Sequence, residues 1–98
     1  HSATVRTRVA AARARQYARD GSINHALTPT QIETTCILDR PSRALLEQAM
    51  QRLGLSARAY HRALKVARTI ADIDGESAIL TGHVAEALRY RPVRTLAG

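Results

Sequence analysis

The chain has 98 residues and a formal net charge of +7, from 15 Lys and Arg against 8 Asp and Glu. This length suits one small domain with a modest core. No apolar run approaches the roughly 20 residues of a membrane span and no signal peptide is apparent, so we expect a cytoplasmic protein without membrane contact. The single cysteine, Cys36, excludes an internal disulfide and a cysteine-rich zinc site, and its apolar neighbours predict a buried structural thiol.

The basic residues are arginines with the exception of Lys65. Because the planar guanidinium fork suits phosphate and carboxylate, this composition favours an anionic partner, either nucleotide or nucleic acid. A solvated basic surface is the alternative that charge alone leaves open. The chain has no Trp or Phe and 3 Tyr, which disfavours modules that stack single-stranded bases on aromatic side chains.

The chain begins with a predicted helix from about Ala3 to Asp20, which Gly21 ends. Alanine, leucine and arginine dominate the whole sequence without sustained period-2 alternation, so helices are expected throughout. The apolar seam of the first helix is thin. Its arginines lie on both sides of that seam, and these basic sides are expected to face solvent or a partner: Arg6 and Arg13 on one side, and Arg8, Arg15 and Arg19 on the other.

A short second helix and a longer third helix are predicted after the loop GSINHAL. Thr28, Pro29 and Gln31 form a capping-box pattern that opens the second helix, which ends near Cys36 to Leu38. Asp39 is placed to cap the third helix, and Gly54 to end it. The apolar positions of the third helix recur at helical spacing: Leu45, Leu46, Ala49, Met50 and Leu53.

The fourth helix is predicted to be central, because apolar residues cover about half its circumference. Ser56 is its expected N-cap, and the pair Asp74-Gly75 its end. Thr81 is expected to cap a fifth helix that stops at Arg91-Pro92. The sequence thus predicts one all-α domain over residues 3–92, a compact bundle of about five helices, with a loose tail at 93–98.

Motifs for catalysis are absent from the sequence. There is no phosphate-binding loop of the G-x-x-x-x-G-K-[ST] type, no G-x-G-x-x-G and no H-E-x-x-H. The histidines share no metal-ligand spacing, so no metal site is expected: His1, His25, His61 and His83. We therefore expect that these residues alone are not an enzyme.

Arg58 lies in the first turn of the fourth helix, where the helix dipole disfavours a cation by about 0.3–1 kcal/mol. The free N–H groups of that turn bind phosphate readily, and an arginine beside them adds a bidentate clamp. An arginine at this unfavourable position is explained if one anion binds both its guanidinium and the N–H groups. A solvated surface arginine is the alternative, and Arg62 lies one turn later on the same side.

The stretch LLEQAMQRLGLSARAYHRALKVARTIADIDG, followed by HVAEALRYRP, resembles the C-terminal domain of magnesium-chelatase-related AAA+ ATPases, and within them the ComM-like competence proteins. The first helix, VRTRVAAARARQYARDGSIN, is similar to the segment that follows their ATPase core. The resemblance runs from about Val5 to Pro92. It implies a helical lid domain packed beside an α/β ATPase core that is not among these residues.

In such lids a sensor-2 arginine reaches the γ-phosphate of ATP bound by the core, and the resemblance implies Arg58, within LSAR, for that role. Arg62 is a weaker candidate for an accessory phosphate or subunit contact. ATP and Mg would belong to the intact parent, with no cofactor expected for the isolated domain. The implied partners are the protein's own AAA+ core and neighbouring subunits of a ring, and the implied parent activity is DNA processing in uptake and recombination, with metal chelation less favoured.

Two other interpretations remain open. A free-standing DNA-binding module would place the arginines of the first helix on phosphates and use the third and fourth helices as a helix-turn-helix. A structural adaptor would use the basic surface to dock an acidic partner. For the first-helix arginines, the sequence leaves nucleic acid, a neighbouring subunit and water as alternatives.

Overall fold

The computed structural model describes residues 2–90, with side chains described from Thr4 onward. Within that range Leu38 and Ile79 form one isolated parallel bridge, and the regular elements are all helical. The elements are α1 (Ser2–Asp20), a 3-10 turn (Asn24–Ala26), α2 (Pro29–Thr35), α3 (Arg40–Leu53), α4 (Ala57–Ile73) and α5 (Thr81–Arg89). The prediction of an all-α domain with five helices is confirmed.

The predicted caps of α2 and α3 are present. Thr28 Oγ1 accepts the N–H of Gln31 at 3.2 Å, and Gln31 Oε1 accepts the N–H of Thr28 at 2.9 Å. The Asp39 carboxylate accepts the N–H of Ser42 at 2.8 Å, and hydrogen bonds from the Ser42 hydroxyl and N–H hold the pKa of Asp39 below its ordinary value. Gly54 ends α3 with φ of 63°, a left-handed conformation that glycine adopts without strain.

Helix α4 lies at the centre of the domain, as its wide apolar face predicts. Helices α1, α2 and α5 and the 3-10 turn pack on α4, whereas α3 packs on α5. Ser42 Oγ of α3 lies 3.3 Å from Thr81 Oγ1 of α5, which joins these two helices at one end. The buried apolar cluster contains Leu27, Ile32, Cys36, Leu38, Leu46, Leu64, Ala67, Ala71, Ile79, Val84 and Ala87.

The start of α5 differs from the prediction. Thr81 is the first helical residue rather than the N-cap, and the N-cap is Leu80. His83, at the third helical position, takes the place of the Glu or Gln of a capping box, because its Nδ1 accepts the N–H of Leu80 at 2.9 Å. Helix α5 ends at Arg89, whereas the predicted stop at Arg91-Pro92 and the tail at 93–98 lie outside the described residues.

Cys36 is buried, with 4% of its surface exposed, which confirms the predicted structural thiol. Burial raises the pKa of the thiol to about 11. On α1, Ala12 is buried whereas Val5 is 57% exposed. No helix among residues 2–90 combines the length and apolar character needed to span a membrane.

Candidate functional site

The N-terminus of α4 carries Arg58 next to a side-chain cap. Ser56 is the N-cap, and its Oγ accepts the N–H of Ala59 at 3.1 Å. Arg58 follows at the second helical position with an exposed side chain. Neither the Arg58 nor the Arg62 side chain forms a hydrogen bond or ion pair with another residue in the described range. Two guanidinium groups are therefore available on one side of the first two turns.

Arg58 and Arg62 line a groove of about 680 Å³ between α4 and the segment from the 3-10 turn to α2; we call it the α4 groove. Lys65, one turn beyond Arg62, spans this groove and donates from Nζ to the backbone carbonyl of His25 at 3.1 Å. The remaining lining is mainly apolar. The full lining is His25, Leu27, Pro29, Ile32, Arg58, His61, Arg62, Lys65, Val66, Thr69 and Ile70.

The arginines of α1 divide into two groups. The sequence placed these groups on two sides of the helix but did not indicate that their contacts differ. Arg6 and Arg13 are exposed and have no partner among residues 2–90. Arg8, Arg15 and Arg19 instead turn toward the C-terminal end of α4. These three residues stay exposed, as the sequence predicts, but their side chains also bind carboxylates and carbonyls of α4, which the sequence did not indicate.

Asp72 is the centre of these contacts. Its carboxylate accepts from Arg19 Nη1 at 3.0 Å, and from Asn24 Nδ2 at 2.9 Å. Its backbone carbonyl accepts from Arg15 Nη1 at 2.7 Å. Although burial opposes the charged form, hydrogen bonds to Asp72 and Asp20 raise the pKa of Arg19 above its ordinary value. We call the contacts among Asp72, its bound side chains and Asp74 the Asp72 network.

Arg68 completes the buried part of the Asp72 network. Its side chain is 5% exposed, and Nη2 lies 3.1 Å from the carboxylate of Asp72, one turn later on the same helix. Arg68 also donates to the carbonyls of Glu76 and Ser77, at 2.8 and 3.1 Å. Sequence reasoning missed this pair. The available signal was a charged pair at i, i+4 next to the apolar face of α4.

Asp74 extends the Asp72 network to the surface and to α5. Arg8 Nη2 lies 3.2 Å from one carboxylate oxygen of Asp74, and His83 Nε2 lies 3.1 Å from the other. Because Nδ1 of His83 accepts a hydrogen bond, the ring proton of the neutral form is on Nε2 and donates to Asp74. The C-terminal end of α4 is thereby bound to α1 and α5.

No candidate metal centre is present in the described part of the chain. No group of three or more His, Cys, Asp or Glu side chains there is arranged to hold a metal ion. His25 is exposed, His61 contacts the ring of Tyr60 edge-on at 5.7 Å, and His83 serves α5. The histidines of the described range therefore have separate surroundings.

Comparison with known proteins gives one family and several relatives. Residues 1–91 match the model of the family described as magnesium chelatase, subunit ChlI C-terminal. The competence protein ComM of Haemophilus influenzae is 51% identical over 90 residues, which are 92% of this chain and 18% of ComM. YifB of Escherichia coli is 46% identical over 95 residues, 97% of this chain and 19% of YifB. The chain thus spans about a fifth of the length of these relatives.

Proposed function

Because this chain belongs to the magnesium chelatase ChlI C-terminal family, we propose that it is the helical lid of a ComM-like AAA+ ATPase. In this proposal Arg58 is the sensor-2 arginine, which contacts the γ-phosphate of ATP held by a core outside these residues. The observation that carries the proposal is the capped start of α4, where an unpartnered Arg58 lies beside free backbone N–H groups at the α4 groove.

The start of α4 suits a phosphate on physical grounds. The N–H groups of the first turn and the positive end of the helix dipole attract an anion. The guanidinium of Arg58 adds a charge-assisted, bidentate contact at the same place. Since the Ser56 cap fixes the backbone of this turn before the ligand arrives, its N–H groups need little reorganisation when charge develops on the phosphate.

The residues here fit one side of a nucleotide site rather than the whole site. Arg58 can hold a phosphate, but no carboxylate cluster suited to a metal ion lies among residues 2–90. In the proposal Mg²⁺ and the remaining ATP contacts belong to the core. One or two charged hydrogen bonds contribute about 1.5–3 kcal/mol each, and association itself is costly. We therefore expect that the 98 residues alone neither hydrolyse ATP nor bind it tightly.

We extend the proposal to the parent protein as a ring-forming motor that acts in DNA uptake or recombination. Its support is the relative from Haemophilus influenzae, which is named a competence protein and is 51% identical to this chain. Metal insertion of the chelatase type is the weaker alternative, because the resemblance in the LGLSARAYHR region is of the competence type.

The arrangement of the helices favours a lid over a free-standing helix-turn-helix module. That module would pair α3 with α4, but α3 packs on α5. It would also place the α1 arginines on DNA phosphates, whereas Arg8, Arg15 and Arg19 bind Asp72 or Asp74.

The proposal is tested by Arg58→Ala in the intact ATPase. We expect kcat for ATP hydrolysis to fall about 10²-fold, since one donor that stabilises the transition state is lost. Arg58→Lys keeps the charge without the bidentate fork and should recover part of the rate. Arg43→Ala, on the exposed surface of α3, is the matched control and should leave kcat unchanged. An Arg58→Ala enzyme with the kcat of the parent would refute the sensor-2 role.

A further inference from the structure

The α4 groove continues beyond the part that contains Arg58. A side cleft of about 220 Å³ lies between α1, the 3-10 turn and α4, and it contains Arg13. His25 and Thr69 line both the α4 groove and the side cleft, so the two adjoin. Together they follow α4 from Arg58 to Ile73, a length of about 22 Å at 1.5 Å per residue.

The Arg and Lys side chains that line this surface give it positive charge only. Four permanent cations line it, and neither the α4 groove nor the side cleft has an Asp or Glu in its lining. The nearest strong acceptors of α4, Asp72 and Asp74, are occupied by the Asp72 network. The cations are Arg13, Arg58, Arg62 and Lys65. An occupant therefore gains from carrying carboxylates or phosphates.

The floor of this surface is aliphatic. No Tyr, Phe or Trp lines either cavity, which disfavours the stacking of nucleic-acid bases there. Aliphatic side chains from a polypeptide fit such a floor better. The floor consists of Leu27, Ile32, Val66 and Ile70 in the α4 groove, and of Val9, Ile23 and Ile73 in the side cleft.

Two occupants are disfavoured by charge. Residues 91–98 contain Arg91 and Arg94 and no acidic residue. A second copy of the chain carries the same net charge of +7. Each would bring positive charge toward the same cations, and like charges that meet at an interface oppose binding.

We propose that the side cleft and the adjoining part of the α4 groove dock an acidic, amphipathic segment of the same protein, from outside these 98 residues. Its carboxylates meet Arg13, Lys65 and Arg62, and its aliphatic side chains cover the floor. Arg58, at the far end, stays available for the phosphate. The inference rests on the proposed function, because it takes the chain as one domain of a larger ATPase whose relatives are about five times its length.

The test is site-specific photocrosslinking in the intact protein. His25 is exposed and lines both cavities, so p-benzoyl-phenylalanine is introduced there. The same group at Glu86, on the exposed surface of α5, is the control. The crosslinked peptides are then identified by mass spectrometry. We expect position 25 to crosslink to an acid-rich segment of the protein outside these 98 residues, and position 86 not to reach it.

Arg13 and Arg6 provide a matched pair of variants. Both are exposed arginines of α1 without a partner in the described range, but only Arg13 lines the side cleft. Arg13→Glu should lower the crosslink yield at position 25 by about fivefold through repulsion of the carboxylates, whereas Arg6→Glu should leave it unchanged.

Several outcomes would overturn the inference: no crosslink at position 25, a crosslink to nucleic acid or to another protein, or equal effects of Arg13→Glu and Arg6→Glu. These results are separate from the test of Arg58. Loss of ATPase activity in Arg58→Ala without a crosslink at position 25 would keep the lid function and remove the docked segment. The reverse pattern would keep the docked segment and remove the sensor-2 role.

Discussion

The two ends of α4 use the same type of residue in opposite ways. At the C-terminal end, arginines from α1 and from α4 itself surround Asp72 and Asp74. At the N-terminal end, Arg58 and Arg62 lie on the surface without a described partner. The helix dipole favours cations at the first location and disfavours them at the second. An arginine therefore stabilises the fold where it pairs with a carboxylate. It is available for a ligand where no carboxylate pairs with it.

The largest loss of unfolding free energy is expected for Asp72→Ala. This change leaves Arg68 buried without its carboxylate and removes one acceptor each of Arg19 and Asn24. Breaking a buried ion pair from one side costs about 3–5 kcal/mol of unfolding free energy. Urea unfolding followed by circular dichroism measures it. Glu86→Ala on α5 is the control, and a loss below about 1 kcal/mol for Asp72→Ala would mean that the Asp72 network does not hold the domain together.

A smaller loss is expected at the other end of α4, for Ser56→Ala. The Ser56 hydroxyl satisfies the N–H of Ala59, and removing such an N-cap costs about 1 kcal/mol. Ser56→Asp retains an acceptor and should keep most of the stability. Equal midpoints in urea for Ser56→Ala and the parent would show that the cap contributes nothing to α4.

Arg8→Ala probes the exposed edge of the Asp72 network. Arg8 and Asp74 are 52% and 46% exposed, so their ion pair should contribute only about 0.2–1 kcal/mol. Salt should reduce that contribution further, and parent and variant should converge in unfolding free energy at about 1 M salt. A difference that persists at high salt would indicate packing of the Arg8 side chain rather than charge.

The smallest change in unfolding free energy is expected for Arg58→Ala. No described contact is lost, and removal of a cation from the first turn relieves an unfavourable dipole interaction. The unfolding free energy should therefore stay the same or rise by a few tenths of a kcal/mol. Thermal unfolding of the two chains provides the comparison. A clear destabilisation would mean that Arg58 has a structural role and would weaken the contrast between the two ends.

The features that the sequence predicted well are local in the chain. The caps at Thr28, Asp39 and Ser56 and the glycine at Gly54 depend on residues three or four positions away, so their pattern is visible in the sequence. The position of Arg58 at the start of α4 follows from the same local signals. The prediction for Thr81 is wrong because the helix begins one residue earlier than the hydroxyl pattern indicates, with Leu80 as N-cap and its N–H bound by His83 Nδ1.

The features that the sequence did not predict depend on distant pairs. Arg19 meets Asp72 across 53 positions of sequence, and no local pattern chooses between that contact and solvent. The contacts of Arg68 with the carbonyls of Glu76 and Ser77 depend on the path of the segment after α4. The α4 groove likewise forms only when the 3-10 turn and α2 are placed against α4. Long-range geometry decides which arginines remain free.

The reactivity of the buried Cys36 thiol reports how often the domain opens. With a pKa of about 11, roughly one thiol in a thousand is ionised at pH 8, and the side chain is 4% exposed. A thiol reagent should therefore react with Cys36 only in molecules that have transiently opened. Above pH 9 the Cys36 thiol ionises in unfolded chains, where it is exposed, but not in folded chains, where it is buried. The free energy of unfolding therefore falls as the pH rises, until about pH 11. Labelling rates of Cys36 in the intact protein, with and without ATP, would then test whether nucleotide changes how often this domain opens.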